Sequence, residues 1–107
     1  MNYPKPKVTS VTPQFPYVND TIIVEGMNFT QDASVWFKQN PTGQGTRAQQ
    51  CTWKNANKVE ATVPTLVSGE YYVSIKTSAG ESNIDKKVTV SNPAEQLPGL
   101  EMAMEAE

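Results

Sequence analysis

The side chains able to do chemistry in this 107-residue chain are few and far apart: it has one cysteine, Cys51, and no histidine. A thiol nucleophile needs an adjacent base, so Cys51 lacks its conventional partner and is expected to be a buried small apolar residue beside Trp53. Without histidine the usual zinc and copper ligand sets cannot be assembled, and one cysteine rules out an internal disulfide. Acid–base work would fall to Asp20, Asp32, Glu60, Glu70, Glu81 and Asp85. These are scattered singly among turns and outward strand positions, which reads as solubility. They are too dispersed for a calcium loop, and a cation site would need Asn19, Asp20 and Asp32 to meet at one end of the domain. The stretch "PTGQGT" is not followed by a Lys-Ser pair or a helix, so it is no phosphate cradle. No catalytic residue, metal or cofactor is expected.

What remains is an aromatic and cationic set: Trp36, Lys38, Tyr72, Lys76 and Lys87. Exposed aromatics with cationic neighbours are what partner surfaces tend to use, stacking on sugars or filling pockets on proteins. Whether these five share a face depends on the strands that carry them. In "ASVWFK", Val35 and Phe37 share one side, which sends Trp36 and Lys38 to the other. In "GEYYVSIKT", Tyr71, Val73 and Ile75 point one way and Tyr72, Ser74 and Lys76 the other. If these strands are neighbours and the last strand, "IDKKVTV", lies beside them with Val88 and Val90 inward, Lys87 joins the same outer face. The opposing possibility is that Trp36 and Tyr72 merely cover each other as a cross-strand pair.

The rest of the chain supplies partner strands. "TIIVEG" alternates with Ile22 and Val24 on one face, "AQQCTW" places Cys51 with Trp53, and "KVEATV" aligns Val59, Ala61 and Val63. Pro4, Pro6, Pro13 and Pro16 leave "KVTSV" only as a short edge strand. Gly26 stands where a strand leaves the sheet, and is expected to adopt a backbone conformation that a side chain would penalise. Asn28 is expected to hydrogen-bond its own turn, and Phe29 to fold back over the core end. Val24, Phe29, Val35, Phe37, Tyr71, Val73 and Ile75 should be buried together. About seven short strands with regularly spaced turns, 37% hydrophobic and 19% charged residues, and a mean hydropathy of -0.50 fit one small β domain that buries one face of each strand.

The order of "VTSVTP", "TIIVEGMNF", "VWF", "KVEATVP" and "GEYYVSIKTSAGESN" resembles the IPT/TIG family of immunoglobulin-like domains. The resemblance spans Pro6 to Val90 and is carried by Pro13, Gly26, Asn28, Phe29, Pro64, Gly69, Tyr71, Gly80 and Asn83. Family members often have a glycine after the first proline and a glycine pair before the second strand; here stand Phe15-Pro16 and Asn19-Asp20, so the first loop is expected to be shaped differently. The resemblance implies an all-β, immunoglobulin-like β-sandwich that acts as a scaffold or binding module and not as an enzyme. Such domains occur in surface receptors, in transcription factors, beside carbohydrate-active enzymes and in bacterial or phage surface proteins, so the fold does not choose among them.

Residues 1–91 are expected to form the sandwich and 92–107 a flexible acidic tail. Up to Ser91 there are nine Lys/Arg against seven Asp/Glu; Glu95, Glu101, Glu105 and Glu107 follow. Leu100, Ala103 and Met104 make a narrow stripe at helical spacing, too short to be a stable helix alone but able to order on a partner. No Lys/Arg cluster serves phosphate neutralisation, so nucleic acid is not an expected partner. The start "MNYPKPKVTS" has no apolar signal region, and no segment is apolar enough for membrane insertion. The function expected is a non-enzymatic adhesion or assembly module meeting a protein or glycan surface through Trp36, Lys38, Tyr72, Lys76 and Lys87, as in a phage virion or bacterial surface component, with homo-oligomer or virion assembly as a mode of association. The alternatives are a carbohydrate-binding or spacer domain of a larger secreted enzyme and a transcription-factor dimerisation domain. The 39–46 loop and the acidic tail are the next candidate surfaces.

Overall fold

A computed structural model describes residues 4–93. Residues 94–107, and with them nearly all of the expected acidic tail and its helical stripe, lie outside the described residues. The strands in chain order are β1 (Lys7–Thr12), β2 (Thr21–Met27), β3 (Ser34–Lys38), β4 (Thr46–Arg47), β5 (Gln50–Asn55), β6 (Lys58–Thr62), β7 (Gly69–Thr77), β8 (Gly80–Glu81) and β9 (Lys87–Val90). Seven match the strands read from the alternation, and two are two-residue ladders at sheet edges.

Two antiparallel sheets result. The smaller runs β1-β2-β6-β5; in the larger, β3 sits between β4 and β7, and the far edge of β7 is shared by β8 and β9. Register follows from the pleat, since a one-residue slip would turn every apolar residue to water. Ile22 and Val24 face Ala61 and Val59, while Val35 and Phe37 face Ile75 and Val73. All seven residues expected in the core are buried in one cluster with Val8, Val88 and Val90. Facing inner sides of two sheets, packed about 10 Å apart, leave no room for a polar residue between them.

β1 is an edge strand, as the prolines require, and its ladder to β2 is interrupted between Val8 and Ser10. Asn83 ties it to the larger sheet: the Val8 N–H donates to the Asn83 Oδ1 at 2.8 Å, and Asn83 Nδ2 donates to the Val8 carbonyl at 3.0 Å. One side chain thus imitates a strand and pairs both backbone groups of Val8.

Three local expectations need correction. Gly26 does not hold a left-handed conformation; the positive φ in this turn belongs to Asn28, at 66°. A side chain at Gly26 is excluded by space instead, because a Cβ there would lie 1.8 Å from the Lys7 carbonyl oxygen and 2.8 Å from Phe29 Cζ. Asn28 does not bond its own turn but donates from Nδ2 to the Lys5 carbonyl at 3.1 Å. Cys51 is half-buried and not enclosed; its thiol donates to the Ala33 carbonyl at 3.4 Å. It lies on β5, the outermost strand of the smaller sheet, where burial is incomplete.

The first loop does depart from a simple turn. Residues 14–18 run parallel to β9 and are held by Thr89 N–H to the Gln14 carbonyl (2.8 Å), Ser91 N–H to the Pro16 carbonyl (3.0 Å) and Val18 N–H to the Ser91 carbonyl (3.0 Å). The loop thereby covers an edge that would otherwise be free to pair with another chain. Pro16 is buried, whereas Phe15 and Tyr17, one residue to either side, are exposed.

Candidate binding site

The outer face of the larger sheet brings together four of the five residues singled out above. Trp36 stands opposite Ser74 on one side and Arg47 on the other. Lys76, one residue pair along from Ser74, swings over the indole with its Nζ 4.2 Å from the ring centroid. Tyr72 pairs with Lys87, whose Nζ lies 5.6 Å from the phenol centroid and 3.7 Å from Glu70 Oε1. Trp36, Tyr72 and Lys76 are partly exposed and Lys87 is exposed. Trp36 is oriented from below by its Nε1–H, which donates to Ser34 Oγ at 2.8 Å.

Lys38 is the exception. It was expected on the open surface, but only 4% of it is accessible. Its pleat position is outward, as the alternation requires; what covers it is the chain that follows. Gly45 returns over β3 so closely that a Cβ there would meet Lys38 Cγ at 2.7 Å. The ammonium is neutralised by Glu81 of β8, with Nζ 2.5 Å from Oε2, and the same oxygen accepts a hydrogen bond of 2.9 Å from Ser74 Oγ. Burial works to raise the Glu81 carboxyl, but the hydrogen bonds from Lys38 and Ser74 and the charges of Lys38 and Lys76 outweigh it and hold the pKa below the ordinary glutamate value. Lys38, Glu81 and Ser74 therefore form a network on this face, with the lysine covered and the carboxylate partly exposed.

The remaining candidate chemistry is dispersed as the spacing implied. Asp20 accepts from the Tyr17 N–H at the start of β2, while Asp32, beyond the other end of β2, is bonded to Thr30 and to the Ser78 N–H. Those bonds, led by the Thr30 hydroxyl, lower the Asp32 pKa. The two carboxylates thus belong to opposite ends of one strand and do not meet. Burial pushes the Cys51 thiol up, against smaller opposing effects of the Val35 backbone and the Arg47 charge, so the thiolate is disfavoured. No group of three or more His, Cys, Asp or Glu that could hold a metal occurs among the described residues, and no helix among them is long and apolar enough to cross a membrane.

A further feature involves the 39–46 loop, which the sequence offered only as a next candidate surface. Between the β3–β4 connection and the β6–β7 connection, at the end of the sandwich where Phe37 and Tyr71 close the core, lies an open cleft of about 410 Å³. Its floor is Phe37, Leu66 and Tyr71, and its walls are Gln39, Asn40, Gln44, Thr46 and Thr65. The sequence signal was the density of Gln, Asn and Thr in "KQNPTGQGT"; what it lacked was the opposite wall.

Two packed antiparallel sheets define an all-β, immunoglobulin-like sandwich. The chain belongs to the IPT/TIG family, whose domain model matches residues 6–91. No curated protein sequence matches it. Among solved structures it is similar to a protein of unknown function from Bacteroides thetaiotaomicron VPI-5482, at 16% identity with a TM-score of 0.71 over 85% of this chain and 24% of that one. It is also similar to a gamma-CGTase from Alkalophilic bacillus clarkii, at 19% identity and TM-score 0.67 over 80% and 12%. A third is SGBP-B of a Bacteroides ovatus mixed-linkage glucan utilization locus, in complex with a mixed-linkage heptasaccharide, at 22% and 0.56 over 74% and 22%. The chain spans no more than a quarter of the length of these proteins. What they share with it is the fold.

Proposed function

We propose that the chain is a non-catalytic binding module of a carbohydrate-handling protein, working outside the cell or at its surface and meeting a glycan through the outer face of the larger sheet. The observation that carries this reading is the row made by Trp36, Tyr72, Lys76 and Lys87 on one partly exposed face. A sugar ring stacking on Trp36 has only to displace Lys76, whose attraction to the indole at such a site is worth about 0.5–1 kcal/mol. The ring itself is already oriented by its bond to Ser34, so little freedom is lost on binding. Support of a second kind comes from a similar structure, the SGBP-B of a mixed-linkage glucan utilization locus, which holds a mixed-linkage heptasaccharide.

A second reading, a spacer that holds other domains apart, is favoured by the pairing of Lys38 with Glu81 and Ser74, which uses the outward lysine within the fold. The experiment that separates them is affinity electrophoresis of the full chain in gels containing xyloglucan, mixed-linkage glucan or starch. Retardation that is lost in Trp36→Ala supports the binding reading. Migration unaffected by every polysaccharide leaves the spacer.

A further inference from the structure

We infer that the loop-end cleft between the β3–β4 and β6–β7 connections is a subsite for an uncharged oligosaccharide, separate from the Trp36 face. The inference rests on the carbohydrate-handling role proposed above and assigns a location and a ligand class within it. At about 410 Å³ the cleft falls in the range of about 300–1,000 Å³ common for small-ligand sites.

Its chemistry is selective. Among the described residues no lysine, arginine, aspartate or glutamate lines it, although charged residues make up 19% of the chain. A charged ligand would lose its hydration there and find no counter-ion, whereas a neutral one is not penalised. The walls carry amides and hydroxyls, and Gln39, Gln44, Thr46 and Thr65 are all exposed. An amide offers a donor and an acceptor together, which matches a sugar hydroxyl that does both. The floor is apolar: Phe37 and Leu66 are buried beneath, and Val67 is 55% exposed at the rim. A pyranose has this same division, C–H groups on its faces and hydroxyls around its edge, so floor and walls suit it together.

The cleft is also held open in a defined shape. On one side the β3–β4 connection is fixed by the Gly43 N–H bond to the Asn40 carbonyl at 3.0 Å and by Gly45, whose φ of 84° turns the chain back against β3. On the other, Asn92 Nδ2 donates to the Leu66 carbonyl at 2.8 Å and the Tyr71 hydroxyl donates to the Val67 carbonyl at 2.8 Å. Both walls are thus braced by bonds that do not use the side-chain amides of Gln39 and Gln44, while that of Asn40 accepts from the Thr42 hydroxyl at 3.4 Å. A second cleft, of about 430 Å³ beside β5, has no such character: it is lined in part by Asp32 and Arg47, and Asp32 is already bonded to Thr30 and Ser78.

The test is a titration of the ¹⁵N-labelled full chain with mixed-linkage gluco-heptasaccharide and with maltoheptaose, using an oligogalacturonate as the acidic comparison and a neutral Gly/Ser/Asn peptide as the non-sugar one. The expected result is saturable shifts in the side-chain amides of Gln39, Asn40 and Gln44 and in the backbone of 65–67 with at least one neutral sugar. Combining Gln44→Ala with Thr65→Val should weaken that binding about tenfold, the loss expected from two neutral hydrogen bonds. Thr52→Ala, on the far sheet, should change nothing. Sugar-induced shifts confined to the Trp36 indole and the outer strands, with the double variant binding as the parent does, overturn the cleft and leave the proposed function standing. Preference for the acidic sugar or the peptide overturns the ligand class. No shift with any sugar overturns both. Shifts at the cleft alone, with Trp36→Ala still binding, uphold the cleft and remove the sheet face.

Discussion

Two polar regions of the larger sheet share Phe37 as a neighbour yet are built on opposite terms. On the outer face, Glu81 pairs with Lys38 and accepts from Ser74, Trp36 donates to Ser34, and Lys76 and Lys87 lie over the aromatic rings. At the loop end, the amides and hydroxyls of Gln39, Gln44, Thr46 and Thr65 line an open cleft while the backbone around them is braced. The difference teaches that an outward position on a sheet is not yet an available one: Lys38 is covered and paired with Glu81, whereas the polar groups around the cleft are positioned and left to solvent. A buried ion pair stabilises or specifies the fold; exposed, oriented neutral groups are free to exchange water for a ligand.

The largest effect should come from removing what both regions stand on. Phe37→Ala should lower stability by about 3–5 kcal/mol in a denaturant melt, since its ring is fully enclosed between the sheets. A loss under about 1 kcal/mol would mean that the floor of the cleft is not a continuation of the core.

Next is the link between the two regions. Gly45→Ala forces a side chain into a positive φ and against Lys38 Cγ, and should cost about 1–3 kcal/mol while disturbing both the Lys38–Glu81 pair and the cleft wall. If amide shifts of the variant are confined to the loop, the two regions are less connected than the contact implies.

Glu81→Gln isolates the Lys38–Glu81–Ser74 network. It leaves a buried ammonium without its counter-charge and should cost about 2 kcal/mol, reduced from the value for a fully buried pair because the carboxylate is partly exposed. Because the folded-state pKa of Glu81 is depressed, its contribution is present above the ordinary value of 4.5 and is lost as pH falls through the lower, folded value. Thermal melts of the parent should therefore fall more steeply than those of Glu81→Gln as the pH drops from about 4.5 through the lower, folded value. Parallel curves would show that the pair adds nothing net.

Trp36→Ala should cost only about 1 kcal/mol, the loss of one half-buried ring, its bond to Ser34 and the contact with Lys76. Paired melting and polysaccharide retardation read stability and binding separately. A loss of several kcal/mol would make the ring structural. The smallest effect belongs to Gln44→Ala, which should leave stability within about 0.5 kcal/mol because its side chain is exposed and supports no fold contact.

The strands were legible because period-2 alternation is local: Val35 and Phe37 against Trp36, or Tyr71, Val73 and Ile75 against Tyr72, assign faces without knowledge of the partner strand. The order of "TIIVEGMNF", "KVEATVP" and the rest sufficed for the family. The same alternation brought Trp36, Tyr72, Lys76 and Lys87 to one face. It misjudged Lys38, because being on the outer side of a sheet and being exposed are different properties once a later loop folds over that side. Gly26 shows the same limit at the backbone: the need for glycine was evident, but the cause is the Lys7 carbonyl on a strand some twenty residues away, not the local φ.

Sequence alone determined the sandwich, its core and the absence of a His-based site, because those follow from residue type and spacing along one chain. Tertiary structure alone decided which outward groups are covered, as Lys38 is by the turn at Gly45 and by Glu81, and which loops face each other, as 39–46 and 65–67 do across the cleft. The physical reason is that covering and facing depend on distances between segments remote in sequence, which strand pairing and loop closure set and no local pattern encodes.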